Sequence, residues 1–269
     1  MSTHPGGDDR DVLDRPAPPP DLQVRYGPLA EHLADVRWPV GDTPAAALVV
    51  VVHGGFWRSE YDRSHTGPQC AGLAAAGFAV SAIEYRRTGQ EGGGWPGTFE
   101  DVDAALRTVP GLVAAAAQQE RRAVDVTRTV LLGHSAGGQL AAWAATRSYP
   151  GVVGAVSLSG VLDLALADAL RLDDGPDGPA VHALLGGSRD QAPERYAASD
   201  PTRLGAPAIP VVAVHGDRDG IVPLELSRSY CAATGQRLVV LPGVGHFAPI
   251  DPFSGAWPQV LDAVRTLAS

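Results

Sequence analysis

Aliphatic runs without polar alternation recur along the chain, and most of them end at a glycine or a charged turn. Residues 45–52, 78–85, 129–132, 152–159 and 209–215 read as strands covered on both faces, because a strand with one wet face would alternate. Residues 237–241 make a last strand. Between the strands the apolar spacing lengthens to that of helices: 69–76 closed by Gly77, 98–109, 112–122, 136–147, 223–233 opening on a proline, and a closing helix within 252–267. Thr98 is placed to cap its helix, with Glu100, Asp101 and Asp103 suiting the first turns. Strands that alternate with helices predict a mainly parallel central sheet flanked by helices on both sides, an α/β fold.

Before this pattern the chain is irregular. Residues 1–21 carry charge and prolines but no apolar signal core, and are expected to be a disordered tail. The lead-in 22–38 suggests an early strand, 41–44 is a turn, and 22–269 is expected to be one domain. The segment 161–208, with Gly175-Pro176-Asp177-Gly178-Pro179 and Ser199-Asp200-Pro201, is long for a crossover. A small cap over the site and a plain helix-bearing connection both fit it.

Composition narrows the classes. A chain of 269 residues that is 45% hydrophobic can bury a sizeable core, and a net charge of −9 without a basic cluster speaks against nucleic acid or an anionic membrane as partner. No apolar run is long enough to span a bilayer. All 21 basic residues are arginine, which resembles a GC-rich coding bias rather than a function. Cys70 and Cys231 match no metal spacing and read as free thiols of a reducing compartment, so a cytoplasmic location is expected. No metal is expected, and a homodimer is compatible with the sequence.

The chemistry begins at Gly133-His134-Ser135-Ala136-Gly137-Gly138. A strand that turns at once into a helix holds its apex residue in a strained conformation, and the flanking positions must lack bulk. Ser135 is therefore the candidate nucleophile, with the helix N-terminus behind it favouring developing negative charge. A serine needs a base. His134, beside it on the turn, is expected to point elsewhere. His246, in the glycine-bracketed loop after the last strand, is the better base. The acid comes between serine and histidine in chain order, and Asp219, 27 residues before His246, is the choice. Asp217 in the same loop is expected to bond turn N–H groups. Asp163 is a third candidate, and His215 is expected to end its strand and pack. For the oxyanion, the N–H of Ala136 is one donor. Gly55 and Phe56 in His53-Gly54-Gly55-Phe56-Trp57 are the others, with Gly54 a further candidate.

Taken together and in this order, the motifs resemble the α/β-hydrolase superfamily from about residue 45 to 267. His53-Gly54-Gly55-Phe56-Trp57 is similar to the motif of arylformamidases (kynurenine formamidases) and related small esterases, which share the elbow and the His215-Gly216-x-x-Asp219 loop. Phe56 stands where hormone-sensitive-lipase relatives have a third glycine. The resemblance implies Ser135 as nucleophile, Asp219 as acid and His246 as base in a cofactor-independent serine hydrolase of small esters or aryl formamides. Trp57, Trp95 and Phe247 are the candidate substrate contacts, though aromatics on such loops equally serve to anchor them. Arg58 reads as solvent-facing or as a partner for a substrate carboxylate, and Glu84, Arg86 and Arg87 as a local ion pair. A peptidase of the prolyl oligopeptidase type and a non-catalytic binding protein on the same fold are the alternatives.

Overall fold

The computed structural model describes residues 9–41, 44–45, 47–175 and 178–269. The expected tail over 1–8, the middle of the expected 41–44 turn, Ala46 of the expected 45–52 strand and Pro176-Asp177 lie outside the described residues. Eight strands form one sheet: β1 Leu22–Arg25, β2 Leu33–Arg37, β3 Leu48–Val52, β4 Ala79–Ile83, β5 Thr129–His134, β6 Val152–Leu158, β7 Val211–Gly216 and β8 Arg237–Leu241. Their spatial order is β1-β2-β4-β3-β5-β6-β7-β8. The pairs β1/β2 and β2/β4 are antiparallel and every later pair is parallel. The lead-in thus holds a hairpin that extends the sheet, where one early strand was expected.

Residues of β3 show why its sequence does not alternate. Leu48, Val50 and Val52 face one apolar cluster, while Val49 and Val51 face the other. The first cluster is roofed by α2 Gly97–Gln119, α3 Ala136–Ala144 and α7 Leu224–Thr234. The second lies under α1 Gly67–Ala75 and α8 Trp257–Ala268. Both faces of the central strands β3 to β7 are dry, so both need apolar side chains.

Two expectations about helices change. The two helices expected at 98–109 and 112–122 are one, α2, which runs through Pro110. Proline removes one N–H and crowds the preceding turn, which reads as a break. Here Leu106, Val109, Pro110, Val113 and Ala117 all lie buried, and that burial carries the helix across the lost bond. Thr98 is the second residue of α2 and does not cap it. Its hydroxyl donates to the Arg86 carbonyl (2.5 Å) and accepts from the Gly94 N–H (3.1 Å).

Residues 9–12, placed in the tail by the sequence, form a turn of 3-10 helix, and Val12 is only 1% exposed. The segment 161–208 carries three short helices, α4 Leu164–Ala169, α5 Ala180–Leu185 and α6 Pro193–Ser199. Most of its apolar residues join the first cluster. Asp173 and Gly175 reach over to the cavity described next.

Candidate active site

Ser135 sits between β5 and α3 at φ 53°, ψ −118°, a conformation that costs a non-glycine residue about 1–3 kcal/mol. Close approach explains the flanking glycines. A Cβ on Gly133 would lie 2.0 Å from the Gly137 carbonyl oxygen, and one on Gly137 2.0 Å from that of Val52. The Ser135 N–H donates to the Leu158 carbonyl (2.8 Å), which pins the turn to β6. Ala136 opens α3, where a first-turn N–H has no intrahelical acceptor.

His246 shares a cavity of about 600 Å³ with Ser135. Its Nδ1 lies 2.7 Å from Asp219 Oδ2. An ionised carboxylate only accepts, so this contact puts the ring proton on Nδ1 and leaves Nε2 as the basic nitrogen. The Asp219 side chain is completely buried and its carboxylate saturated. Its Oδ1 accepts from the N–H groups of Ile221 (2.9 Å) and Val222 (2.8 Å), and His215 Nε2 stands 3.2 Å from Oδ2. Burial alone would raise its pKa, but hydrogen bonds from His215 and His246 outweigh that and hold it well below the usual carboxylate range.

The rival acids are engaged elsewhere. Asp217 accepts from the Gly243 N–H (2.7 Å), a turn bond. Asp163 caps α4 through the Leu166 N–H (2.8 Å) and accepts from the Ser229 hydroxyl.

Two histidines take part in ways the sequence reading missed. His134, expected to point elsewhere, donates from Nε2 to the His246 carbonyl (3.0 Å), and its ring lies 4.6 Å from the His246 ring. His215, expected only to pack, accepts from Ser227 at Nδ1 (2.7 Å) and points Nε2 at the Val222 carbonyl (2.9 Å) and at Asp219. Its position four residues before Asp219 was the available signal.

The loop after β3 runs through three successive left-handed residues, Gly55 (φ 105°), Phe56 (φ 47°) and Trp57 (φ 57°). Arg58 N–H closes the turn on the Gly55 carbonyl (2.9 Å). Among the described residues the Phe56 N–H donates to no protein group, and Gly55 and Phe56 both line the cavity. Below the loop, His53 contacts Glu84 Oε1 (2.9 Å) and the Gly54 carbonyl (2.8 Å), and Glu84 also pairs with Arg87 and Arg63. Burial opposes ionisation of Glu84, but the hydrogen bond from His53 prevails and lowers its pKa to about 2. Arg86 belongs to a separate pair with Asp101, which also meets His32.

Trp57 and Trp95 do not reach the site. Trp57 is fully buried and donates from Nε1 to Gln139 Oε1 (3.2 Å), tying the loop to α3. Trp95 packs on Phe99 at 5.2 Å, away from the cavity wall. A large flat ring is more stable filling the interior than facing water, and neighbours in tertiary space provided the room. Phe247 does line the cavity, beside His246. Arg58 is held by Asp173 through Nε to Oδ2 (2.5 Å) and Nη2 to the carbonyl (2.8 Å). Among the described residues no three His, Cys, Asp or Glu are placed to hold a metal, and no helix is long and apolar enough to cross a membrane.

Neutral imidazoles make the fold acid-sensitive. Burial and the neighbouring His53 press His65, in the cavity wall, down to about 4, and burial with His246 holds His134 well below its ordinary value. The unfolded chain takes up these protons below about pH 6.5 while the folded one does not, so stability is lost as pH falls. Asp200, raised to about 6 by burial and Asp163, acts the opposite way, but it is one group against two. Urea denaturation is therefore expected to show a lower unfolding free energy at pH 5 than at pH 7. A flat or inverted profile would mean that the rings take up protons in the folded protein.

A family model described as BD-FAE matches residues 34–233. The chain is 29% identical over 232 residues to a probable carboxylic ester hydrolase, LipM, of Mycobacterium tuberculosis, a match covering 78% of this chain and 50% of the relative. It is 28% identical over 241 residues to a monoacylglycerol lipase of Mycolicibacterium smegmatis, covering 76% and 82%. A kynurenine formamidase of Danio rerio is 29% identical over 149 residues, covering 53% of this chain and 46% of the relative. The chain thus spans about half the length of two of these three relatives. Among solved structures, a truncated carbohydrate esterase from gut microbiota superimposes with a TM-score of 0.75 at 22% identity, covering 92% of this chain and 96% of that one. Esterase B of Lactobacillus rhamnosus (HN001) gives 0.74 at 18%, covering 96% and 89%. These likenesses show the α/β-hydrolase fold.

Proposed function

The chain belongs to the BD-FAE family of α/β-hydrolases, and from that premise we propose that it is a serine hydrolase of small carboxylic esters. The observation that carries this reading is Asp219 bonded to His246 Nδ1 at 2.7 Å, in a cavity whose floor is a serine on a strained turn. Ser135 Oγ attacks the ester carbonyl while His246 Nε2 takes its proton. The N–H groups of Ala136, Phe56 and Gly55 receive the oxyanion. His246 then protonates the departing alcohol and activates a water that releases the acid. Asp219 holds the tautomer and stabilises the imidazolium.

The aryl-formamide reading has support from the kynurenine formamidase relative. Against it, Trp57, the ring expected to stack on an aryl group, is buried and bonded to Gln139. Turnover of p-nitrophenyl acetate, p-nitrophenyl butyrate and N-formylkynurenine separates the two. The expected result is a kcat/KM for the esters above that for the formamide. Cleavage of the formamide alone would overturn the ester reading.

A further inference from the structure

The cavity is closed on one side by a stretch that lies before the matched family region. Arg10 and Leu13 line it together with Ser135, His246 and Phe247. Three contacts fasten this stretch to the body. Val12 is buried in the cluster under α1 and α8, and Leu13 packs at its margin. Arg15 grips Asp251 with both terminal nitrogens, one at 3.0 Å, and lies 5.1 Å over the Phe253 ring. Further along, Arg37 Nη1 donates to the Pro19 carbonyl (2.9 Å). Asp251 directly follows the short 3-10 turn Ala248–Ile250 behind His246 and Phe247, so the Arg15 fork ties the stretch to the base's own loop. The Arg10 guanidinium lies 5.5 Å over the Phe247 ring, whose centre is 4.9 Å from that of His246.

Which part of a substrate meets this wall follows from the chemistry. His246 protonates the leaving group, so the alcohol half of an ester must depart past His246, while the carbonyl oxygen faces the Gly55-Phe56 loop. We propose that Leu13 and Arg10, backed by Phe247, form the alcohol subsite, and that this wall selects esters by the size of an apolar alcohol. The inference rests on the ester reading above. Leu13 supplies apolar surface that a longer alkyl chain covers, and each methylene buried adds about 0.8 kcal/mol.

The test varies the alcohol at constant acid and the acid at constant alcohol. With thermal unfolding recorded as the check on the fold, Leu13→Trp fills the subsite from a half-exposed position. It should lower the ratio of kcat/KM for hexyl butyrate over ethyl butyrate about tenfold, the worth of two methylenes kept from contact. The ratio of p-nitrophenyl hexanoate to p-nitrophenyl acetate should stay as in the parent. Arg15→Gln, whose side chain does not line the cavity, should lower the same alcohol ratio by loosening the strap. A proportional loss on all four esters, or a change in the acid ratio alone, would overturn the subsite. Calorimetric binding of hexyl butyrate to Ser135→Ala, with and without Leu13→Trp, needs no turnover. About tenfold weaker binding in the double variant supports the wall even if the parent is inert, which would sink only the hydrolase reading. Equal binding sinks the wall.

Discussion

Ser135→Ala is expected to fold as the parent does and to lose ester turnover by about 10⁴-fold or more. Alanine keeps the Cβ, so the turn between β5 and α3, the bond from residue 135 N–H to Leu158 and the close approach of Gly137 to Val52 remain in place. What goes is the Ser135 hydroxyl, the oxygen that the proposed mechanism has His246 activate in the shared cavity. The residual rate measures what the N–H groups and the walls can do for direct attack by water. Thermal unfolding recorded beside the kinetics checks the fold. Turnover within a factor of about ten of the parent would mean that another group is the nucleophile and that the elbow has been misassigned.

Asp219→Asn is expected to lower kcat by about 10³-fold or more, while Asp217→Asn lowers it by no more than a few-fold. The carboxylate receives four donors: two backbone N–H groups on Oδ1, and His246 Nδ1 and His215 Nε2 at Oδ2. An asparagine that keeps the backbone bonds must turn its NH₂ toward the two rings. His246 can then meet it only as an acceptor at Nδ1, which moves the ring proton to Nε2 and removes the base. Asparagine at 217 retains an oxygen for the Gly243 N–H and changes nothing that faces His246. The loss at 219 should fall on kcat more than on KM, because orientation of the base rather than substrate contact is removed. The reverse ranking of the two variants would reassign the acid.

The elbow was legible because its requirement is local: a strand that becomes a helix within one residue admits only small neighbours, and that leaves a sequence trace at Gly133 and Gly137. His246 and Asp219 were legible as loop residues after consecutive strands, since parallel topology sends those loops to one edge of the sheet. His134 and His215 were not, because their roles are set by what stands opposite them. His134 is beside Ser135 in the chain, yet it serves the His246 loop through a carbonyl 112 residues away. Trp57 misled for the same reason. Its position after the glycines placed it near the site, but its ring direction was set by Gln139 on α3.

By itself, then, the amino-acid order determined the central strands dry on both faces, the serine at the strained apex and the succession of loops in which His246 and Asp219 lie. Each follows from periodicity and steric limits that act over a few residues. The tertiary structure alone decided that α2 runs on through Pro110, that two histidines buttress His246 and Asp219, that Trp57 is interior, and that Arg10 and Leu13 line the cavity. Those outcomes depend on free energies of burial and pairing between segments far apart in the chain, and no local pattern encodes which partner a side chain will meet.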